Sequence, residues 1–135
     1  MKKWQLINFP HFIDERGTLT PFELNESFPF SVKRVYTVTA SDSSVTRGAH
    51  AHLIEEEIFV AVSGQITARV HDGSKETTVL LGKPNQGLLV RQHCWHEFTN
   101  FSADAVMLCF SSTHYLPGTQ NYLTDKDEFL ARFSG

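Results

Sequence analysis

The chain has 135 residues, 41% of them hydrophobic, and a formal net charge of −3. This length suits one domain, so we expect residues 1–135 to form a single domain, and the negative charge excludes attraction of nucleic acid by the whole molecule. No apolar run approaches the ~20 residues that cross a bilayer, and no signal peptide is recognisable. Two cysteines, Cys94 and Cys109, are too few for a disulfide framework. We therefore expect a cytoplasmic protein.

Short apolar segments recur along the chain and are separated by turn residues. The apolar run over 57–62 predicts a strand buried on both faces, and the clean alternation over 65–71 predicts a half-buried strand. Glycines after Ser63 and Asp72 mark hairpin turns. In chain order the predicted strands cover 4–9, 17–24, 30–40, 57–62, 65–71, 76–82, 87–90, 95–101 and 105–112. A further strand is expected around residues 47–52. About ten short strands separated by turns indicate an all-β barrel or double-sheet sandwich.

The C-terminal segment has a different periodicity. Thr124 and Asp127 are spaced as a capping box. Phe129, Leu130 and Phe133 then fall on one helical stripe. We therefore expect one short C-terminal helix that packs on a sheet.

Two histidines lie one residue apart in the segment RGAHAH, residues 47–52. In a strand, side chains alternate with period two, so His50 and His52 should point to the same face. Downstream residues extend the pair into two spaced motifs: H-x-H-x4-E-x6-G, which includes Glu57, and H-x3-N, which begins at His96. Three histidines and a glutamate also form a good ligand set for zinc, iron or manganese, so spacing alone leaves a metal site open.

The two motifs together resemble those of the cupin fold, and a closer resemblance is to the sugar 3,4-ketoisomerases that act on dTDP-4-keto-6-deoxyglucose. This resemblance extends from about residue 5 to residue 112. The segments that carry it are DERGTL (14–19), KRVY (33–36), RGAHAH (47–52), VSG (62–64), DG (72–73) and WHEFTNFSADAVML (95–108). The chain departs from the family at Glu57, where members tend to carry glutamine, and in its tail, which keeps two spaced tyrosines but lacks a tyrosine-isoleucine-arginine stretch.

The resemblance implies a single cupin domain, a jelly-roll double-sheet barrel with the nucleotide at its mouth. It implies a homodimer that acts on a dTDP-linked keto sugar without a metal or other cofactor. The implied setting is the biosynthesis of unusual deoxysugars, such as those of lipopolysaccharide, O-antigen or S-layer glycans.

The histidine pair suits the chemistry of this family. Moving a carbonyl from C4 to C3 removes a proton from C3 and adds one at C4 through an enediol, and histidine titrates in the required range. Residues i and i+2 lie about 7 Å apart along a strand, which matches two neighbouring carbons. We expect His50 to be the base at C3 and His52 a second acid–base group or a proton shuttle to C4, and the sequence leaves the order of the two open. Tyr36 is either a donor to a sugar oxygen or a core aromatic.

The remaining candidates are substrate-binding residues. The guanidinium fork matches phosphate oxygens, and an aromatic face suits thymine, although an aromatic residue here also fits core packing or a dimer contact. The candidates are Arg16, Arg34 and Arg47 for the diphosphate, Trp95 or Tyr115 for the base, and Glu57 and His96 in the lumen. By alternation, Glu57 should face inward and Glu56 outward.

Three other functions fit parts of the pattern. A metal-dependent cupin dioxygenase or isomerase would bind its metal through His50, His52, Glu57 and His96 and would lose activity with a chelator. A dTDP-sugar 3,5-epimerase shares the barrel and an early RG segment, but we expect it to pair one catalytic histidine with a tyrosine. A non-catalytic sugar-binding cupin would bind a dTDP sugar without turnover.

Overall fold

The computed structural model describes residues 2–118 and 120–134, which form two packed antiparallel sheets, a small hairpin and one helix. The elements are β1 Trp4–Asn8, β2 Phe12–Asp14, β3 Gly17–Leu19, β4 Arg34–Val38, β5 Arg47–His52, β6 Glu57–Ser63, β7 Ile66–His71, β8 Glu76–Leu81, β9 Gln86–Val90, β10 Trp95–Thr99, β11 Val106–Ser111, β12 Tyr122–Leu123 and α1 Lys126–Phe133. One sheet has the order β1-β9-β6-β11-β4, the other β12-β5-β10-β7-β8, and β2 pairs with β3. The predicted all-β, double-sheet fold with one C-terminal helix is confirmed.

The core lies between the two five-stranded sheets. Phe59 and Met107 from the first sheet meet Ile66 and Phe98 from the second, and all four side chains are at most 3% exposed. Burying each such side chain contributes about 1.5–3 kcal/mol. The five residues from Glu57 to Ala61 are all buried, which confirms the strand predicted to be covered on both faces.

The outer face of the first sheet is covered by the segment between β1 and β4. Phe28 and the partly buried Phe22 pack against Ile58, Val60 and Phe110 there. This explains why the strands predicted over 17–24 and 30–40 are shorter, ending at Leu19 and beginning at Arg34. A proline at position 21 cannot donate to a sheet ladder, and the phenylalanines that follow it act as a cover for the sheet.

Helix α1 covers the outer face of the second sheet. Phe129 is fully buried, with its ring centroid 5.9 Å from that of Trp95, and the two share a cluster with Ala51. The predicted capping box at Thr124 is wrong by one residue, because Asp125 is the N-cap and accepts a 3.1 Å hydrogen bond from the Glu128 amide. An aspartate caps a helix as well as threonine does and adds a favourable charge at the positive helix end.

Within the described part of the chain, no helix is long and apolar enough to cross a membrane.

Candidate active site

Strand β5 presents the histidine pair through a β-bulge. His50 pairs with His96 on β10, but the next partner of β10, Glu97, lies opposite Gly48, so that Ala49 is the extra residue. Gly48 and Ala49 both have positive φ, of 76° and 61°. A Cβ at position 48 would lie 3.2 Å from the His96 carbonyl oxygen, so this bulge requires glycine at its first position.

Three histidine rings meet inside the barrel. The ring centroids of His50 and His52 are 4.8 Å apart, as expected for residues on one face, and each lies within 4.9 Å of the His96 centroid. Tyr122 lies beside His50 and His52, at 5.0 and 5.2 Å. His96 donates from Nδ1 to the Cys94 carbonyl at 3.1 Å, because a carbonyl can only accept. The Nε2 atom of His96 therefore carries a lone pair.

Burial keeps these imidazoles neutral. It lowers the pKa of His50 below its ordinary value and that of His96 well below it. Burial, with the neighbouring His50 and Arg34, lowers the pKa of His52 to about 3. Each ring is thus a free base at neutral pH, and the two that line the cavity, His50 and His96, can accept a proton from a substrate.

Tyr36 and Glu57 form a hydrogen-bonded pair beside the histidines. The Tyr36 hydroxyl donates to Oε2 of Glu57, which faces inward as predicted and is 2% exposed. Burial raises the pKa of Glu57 well above its usual range, and the nearby Glu55 raises it further. Burial, followed by Glu57, raises the pKa of Tyr36 as well, so the phenol stays protonated. The pair supplies neutral hydrogen-bond donors to the cavity.

Glu55 is a site residue that the sequence patterns missed. It is fully buried and accepts hydrogen bonds from Arg34 Nη2 at 2.8 Å, from Asn121 Nδ2 at 2.8 Å, and from the Ser111 hydroxyl. His52 Nε2 lies 3.5 Å from Glu55 Oε1. Glu55 therefore links β4, β11 and the C-terminal segment directly behind the histidines.

A cavity of about 310 Å³ opens beside this cluster. His50 and His96 line it, whereas His52 is 1% exposed and lies behind them. The other lining residues are Tyr36, Val38, Thr46, Arg47, Gly48, Glu57, Phe59, Phe98 and Met107. Its volume falls at the lower end of the range for ligand pockets and suits a hexose ring.

Of the predicted diphosphate contacts, only Arg47 lines the cavity. The guanidinium of Arg34 is bound to Glu55 and lies 5.1 and 5.8 Å from the rings of Tyr36 and Tyr115. The Arg16 side chain is 83% exposed on the β2–β3 hairpin and pairs with Asp14. Arg16 thus lies outside the cavity of its own chain.

The two predicted aromatic contacts have different positions. Trp95 is 4% exposed and packs under helix α1 on the outer face of its sheet. The expectation that Trp95 stacks on thymine is therefore wrong, since its neighbour His96 takes the inward direction and alternation turns Trp95 outward. Tyr115 is 64% exposed beside Arg34, so its ring is accessible to a ligand.

The donor set also fits a divalent cation. One nitrogen from each of His50, His52 and His96 can be chosen so that all three lie within 4.8 Å of one another. A second set, in which one ligand atom from each residue again lies within 4.8 Å of the others, consists of His52, Glu55 and Glu57. The bond from His96 to a backbone carbonyl orients the ring as second-shell contacts do at metal centres. A metal bound there would act as a Lewis acid toward a sugar oxygen.

Comparison with known proteins agrees with this geometry. Residues 2–134 match the family described as FdtA: WxcM-like, C-terminal. A TDP-4-oxo-6-deoxy-α-D-glucose-3,4-oxoisomerase from Aneurinibacillus thermoaerophilus is 36% identical over 125 residues, which are 93% of this chain and 88% of that protein. A histidine-to-asparagine mutant of the 3,4-ketoisomerase QdtA from Thermoanaerobacterium thermosaccharolyticum, in complex with TDP-4-keto-6-deoxyglucose, superposes with a TM-score of 0.90 at 28% identity, covering 98% of this chain and 95% of the other.

An epimerase shares only the fold. The 3'-monoepimerase ChmJ from Streptomyces bikiniensis, in complex with dTDP-quinovose, has a TM-score of 0.73 at 18% identity, covering 86% of this chain and 67% of its own. At that identity the likeness carries no information about activity.

Proposed function

The chain belongs to the FdtA family of WxcM-like C-terminal domains, and on this premise we propose that it converts dTDP-4-keto-6-deoxyglucose to a dTDP-3-keto-6-deoxyhexose. It is an isomerase of the dTDP-sugar 3,4-ketoisomerase class. The observation that carries the proposed mechanism is a neutral His50 that contacts the buried His52 and lines the same cavity as the Tyr36 phenol.

In this mechanism His50 removes the proton from C3. The Gly48 carbonyl and the charge of Glu55 favour the imidazolium that results. Tyr36 lines the same cavity, and in this proposal its hydroxyl turns from Glu57 to donate a hydrogen bond to the sugar oxygen on which charge develops, which stabilises the enediolate. The hydroxyl proton on O3 passes to O4 through the enediol, and the His50 imidazolium returns a proton at C4, which leaves the carbonyl at C3 and restores the neutral imidazole.

His52 is the second acid–base group in this proposal. Its ring contacts that of His50, and its Nε2 atom lies 3.5 Å from Glu55 and 3.6 Å from Glu57. Glu55 would stabilise a positive charge shared between the two rings, because its Coulombic interaction favours the charged form of His50. Because His52 does not line the cavity, it acts through His50 and does not contact the sugar.

We further propose that Arg47 binds the diphosphate at the cavity mouth, where its side chain is exposed. Arg47→Ala is expected to weaken dTDP binding by about 10- to 100-fold, because a charge-assisted hydrogen bond contributes about 1.5–3 kcal/mol. Calorimetric titration with dTDP measures the effect. Arg69→Ala, which removes a half-exposed arginine paired with Glu97, is the matched control. Equal dTDP affinity in both variants would exclude Arg47 as the phosphate contact.

We also propose a homodimer that covers the β2–β3 hairpin. Phe12, Ile13 and Leu19 are 61%, 71% and 60% exposed there, an unusual apolar surface for a monomer. Arg16 belongs to the same hairpin, so its predicted phosphate contact requires a partner's cavity. Sedimentation should give a dimer for the native chain and a shift toward monomer for Ile13→Lys. A native monomer at micromolar concentration would contradict this proposal.

The activity itself is tested by adding dTDP-4-keto-6-deoxyglucose to metal-stripped protein and following the sugar signals by NMR. We expect signals of a 3-keto sugar to appear without added metal. Turnover that returns only with a divalent metal would favour the metal-dependent alternative. Absence of turnover with and without metal would overturn the ketoisomerase assignment.

A further inference from the structure

We propose that Tyr122 is a positioning residue that holds the imidazole of His50 in the orientation in which it serves the cavity. This role rests on the proposed function, because it concerns the alignment of the base in that reaction. It also makes the C-terminal segment, which lies beyond the motifs that carry the family resemblance, a part of the active site.

The short strand β12 turns Tyr122 into the barrel. In the ladder between β12 and β5, Tyr122 pairs with His52, and Leu123 pairs with Ala51. Leu123 and Ala51 are buried in the cluster under helix α1, on the outer face of the sheet. Because neighbouring side chains on a strand point to opposite faces, Tyr122 lies on the inner face with the histidines.

Two rings flank His50 from the strands on either side of β5. Strand β5 lies between β10, which carries His96, and β12, which carries Tyr122. The His50 ring centroid is 4.8 Å from that of His96 and 5.0 Å from that of Tyr122, with interplanar angles of 82° and 83°. Edge-to-face contacts of this kind are a preferred arrangement of aromatic rings. Both neighbours therefore restrict rotation of the His50 ring, and removal of the Tyr122 ring would free it on the side toward β12.

The residue before Tyr122 anchors the C-terminal segment. Asn121 is fully buried, and its backbone carbonyl accepts a 2.7 Å hydrogen bond from the Leu53 amide. Its side-chain oxygen accepts two more hydrogen bonds, each of 3.1 Å, from the amides of Ile54 and Glu55. These bonds attach the segment to the loop that follows β5, so the Tyr122 backbone has little freedom to move away from His50.

The effect of Tyr122 on the reaction passes through His50. The residues that line the cavity include His50 but not Tyr122. A base removes a proton efficiently only when its nitrogen points at the C–H bond, and a displacement of about 1 Å can lower the rate about 10²-fold. Tyr122 should therefore affect the rate of proton removal and leave substrate affinity nearly unchanged.

Tyr122→Leu removes the ring and keeps an apolar side chain, and we expect kcat for dTDP-4-keto-6-deoxyglucose to fall about 10- to 100-fold. The Kd of the unreactive ligand dTDP-6-deoxyglucose should change less than about threefold, because Tyr122 does not line the cavity. Tyr122→Phe keeps the ring without the hydroxyl and should retain at least about half of native kcat. Lys126→Ala, which removes an exposed ion pair with Glu76 at the start of α1, is the matched control and should retain native turnover.

A substrate deuterated at C3 provides a second readout. If Tyr122 aligns the base, removal of the C3 proton limits the rate of Tyr122→Leu, so the isotope effect on its kcat should equal or exceed that of the native protein. Absence of an isotope effect in this slow variant would contradict the positioning role. Tyr122→Met, which also lacks a ring, provides the same comparison should Tyr122→Leu not fold.

Three further results would overturn the role assigned to Tyr122. Native kcat in Tyr122→Leu would show that the ring is not needed. An equal loss of kcat in Tyr122→Phe would assign the effect to the hydroxyl, and a parallel loss of dTDP-6-deoxyglucose affinity would make Tyr122 a substrate contact. All of these leave the proposed function intact, whereas failure of the native protein to turn over the keto sugar would overturn that function and the positioning role with it.

Discussion

Replacing His50 with asparagine is expected to lower kcat by about 10²- to 10⁴-fold, the usual contribution of a positioned acid–base group. Asparagine keeps a polar side chain of similar reach but cannot accept a proton at neutral pH. His50 is the residue whose loss should matter most, because it lines the cavity and is only half-buried, whereas His96, which also lines it, is 1% exposed. Steady-state turnover of dTDP-4-keto-6-deoxyglucose, followed by NMR or coupled to product trapping, measures the effect.

His11→Asn is a matched control for this variant. His11 lies outside the cavity lining and its Nδ1 atom is 3.1 Å from the Thr20 hydroxyl, a contact that an asparagine can replace. The control should retain native turnover, and both variants should retain the native melting temperature within a few degrees. Retention of more than about a tenth of native activity by His50→Asn would rule out His50 as the principal base, given the expected loss of 10²-fold or more.

The second large effect is on stability: Glu55→Ala should lower the free energy of unfolding by about 3 kcal/mol or more. The substitution leaves the Arg34 guanidinium, the Ser111 hydroxyl and the Asn121 amide without their shared acceptor. Glu55 is fully buried, so water does not compensate for the loss. The free energy of unfolding of a domain is typically only about 5–15 kcal/mol, so a loss of about 3 kcal/mol should be visible as a lower urea midpoint.

Glu56→Ala is the adjacent control. Glu56 is partly exposed, and its carboxylate lies 3.4 Å from Arg91. A surface ion pair of this kind contributes less than about 1 kcal/mol to the free energy of unfolding. Comparing the two urea titrations separates the buried network from a general effect of removing a glutamate. A change below about 1 kcal/mol for Glu55→Ala would contradict the structural role assigned to that carboxylate.

Local patterns predicted those parts of the fold that depend on neighbours in sequence. Alternation identified β7, continuous hydrophobicity identified β6, and the stripe of Phe129, Leu130 and Phe133 identified α1. Trp95 and His96 are adjacent on β10, so alternation puts their side chains on opposite faces. If His96 faces the lumen, Trp95 must face outward. The error at Trp95 came from treating an aromatic residue as a ligand contact before assigning its face.

Glu55 was not predictable in the same way. It lies between β5 and β6, where period-two alternation does not apply. Its burial depends on partners 21, 56 and 66 residues away in sequence. Only the assembled fold brings an arginine, a serine and an asparagine around one carboxylate, so no local signal marks Glu55 among its neighbouring glutamates.

The difference between the two motif histidines also required the structure. Spacing placed His50 and His52 on one face but did not fix which of them is the base and which the second acid–base group. In the fold, the bulge at Ala49 precedes a half-buried His50 that lines the cavity, whereas His52 is enclosed near Glu55 and Glu57. This asymmetry supports different roles for the two residues in the proposed reaction.

The central claim is that a histidine transfers protons through an enediol, and the most direct measurement is the isotope content of the product formed in heavy water by metal-stripped protein. We predict a 3-keto sugar that carries deuterium at C4, because the proton taken by His50 exchanges with solvent before or during return. A product that carries the original C3 hydrogen at C4, with no deuterium from solvent, would indicate a hydride shift and contradict the mechanism.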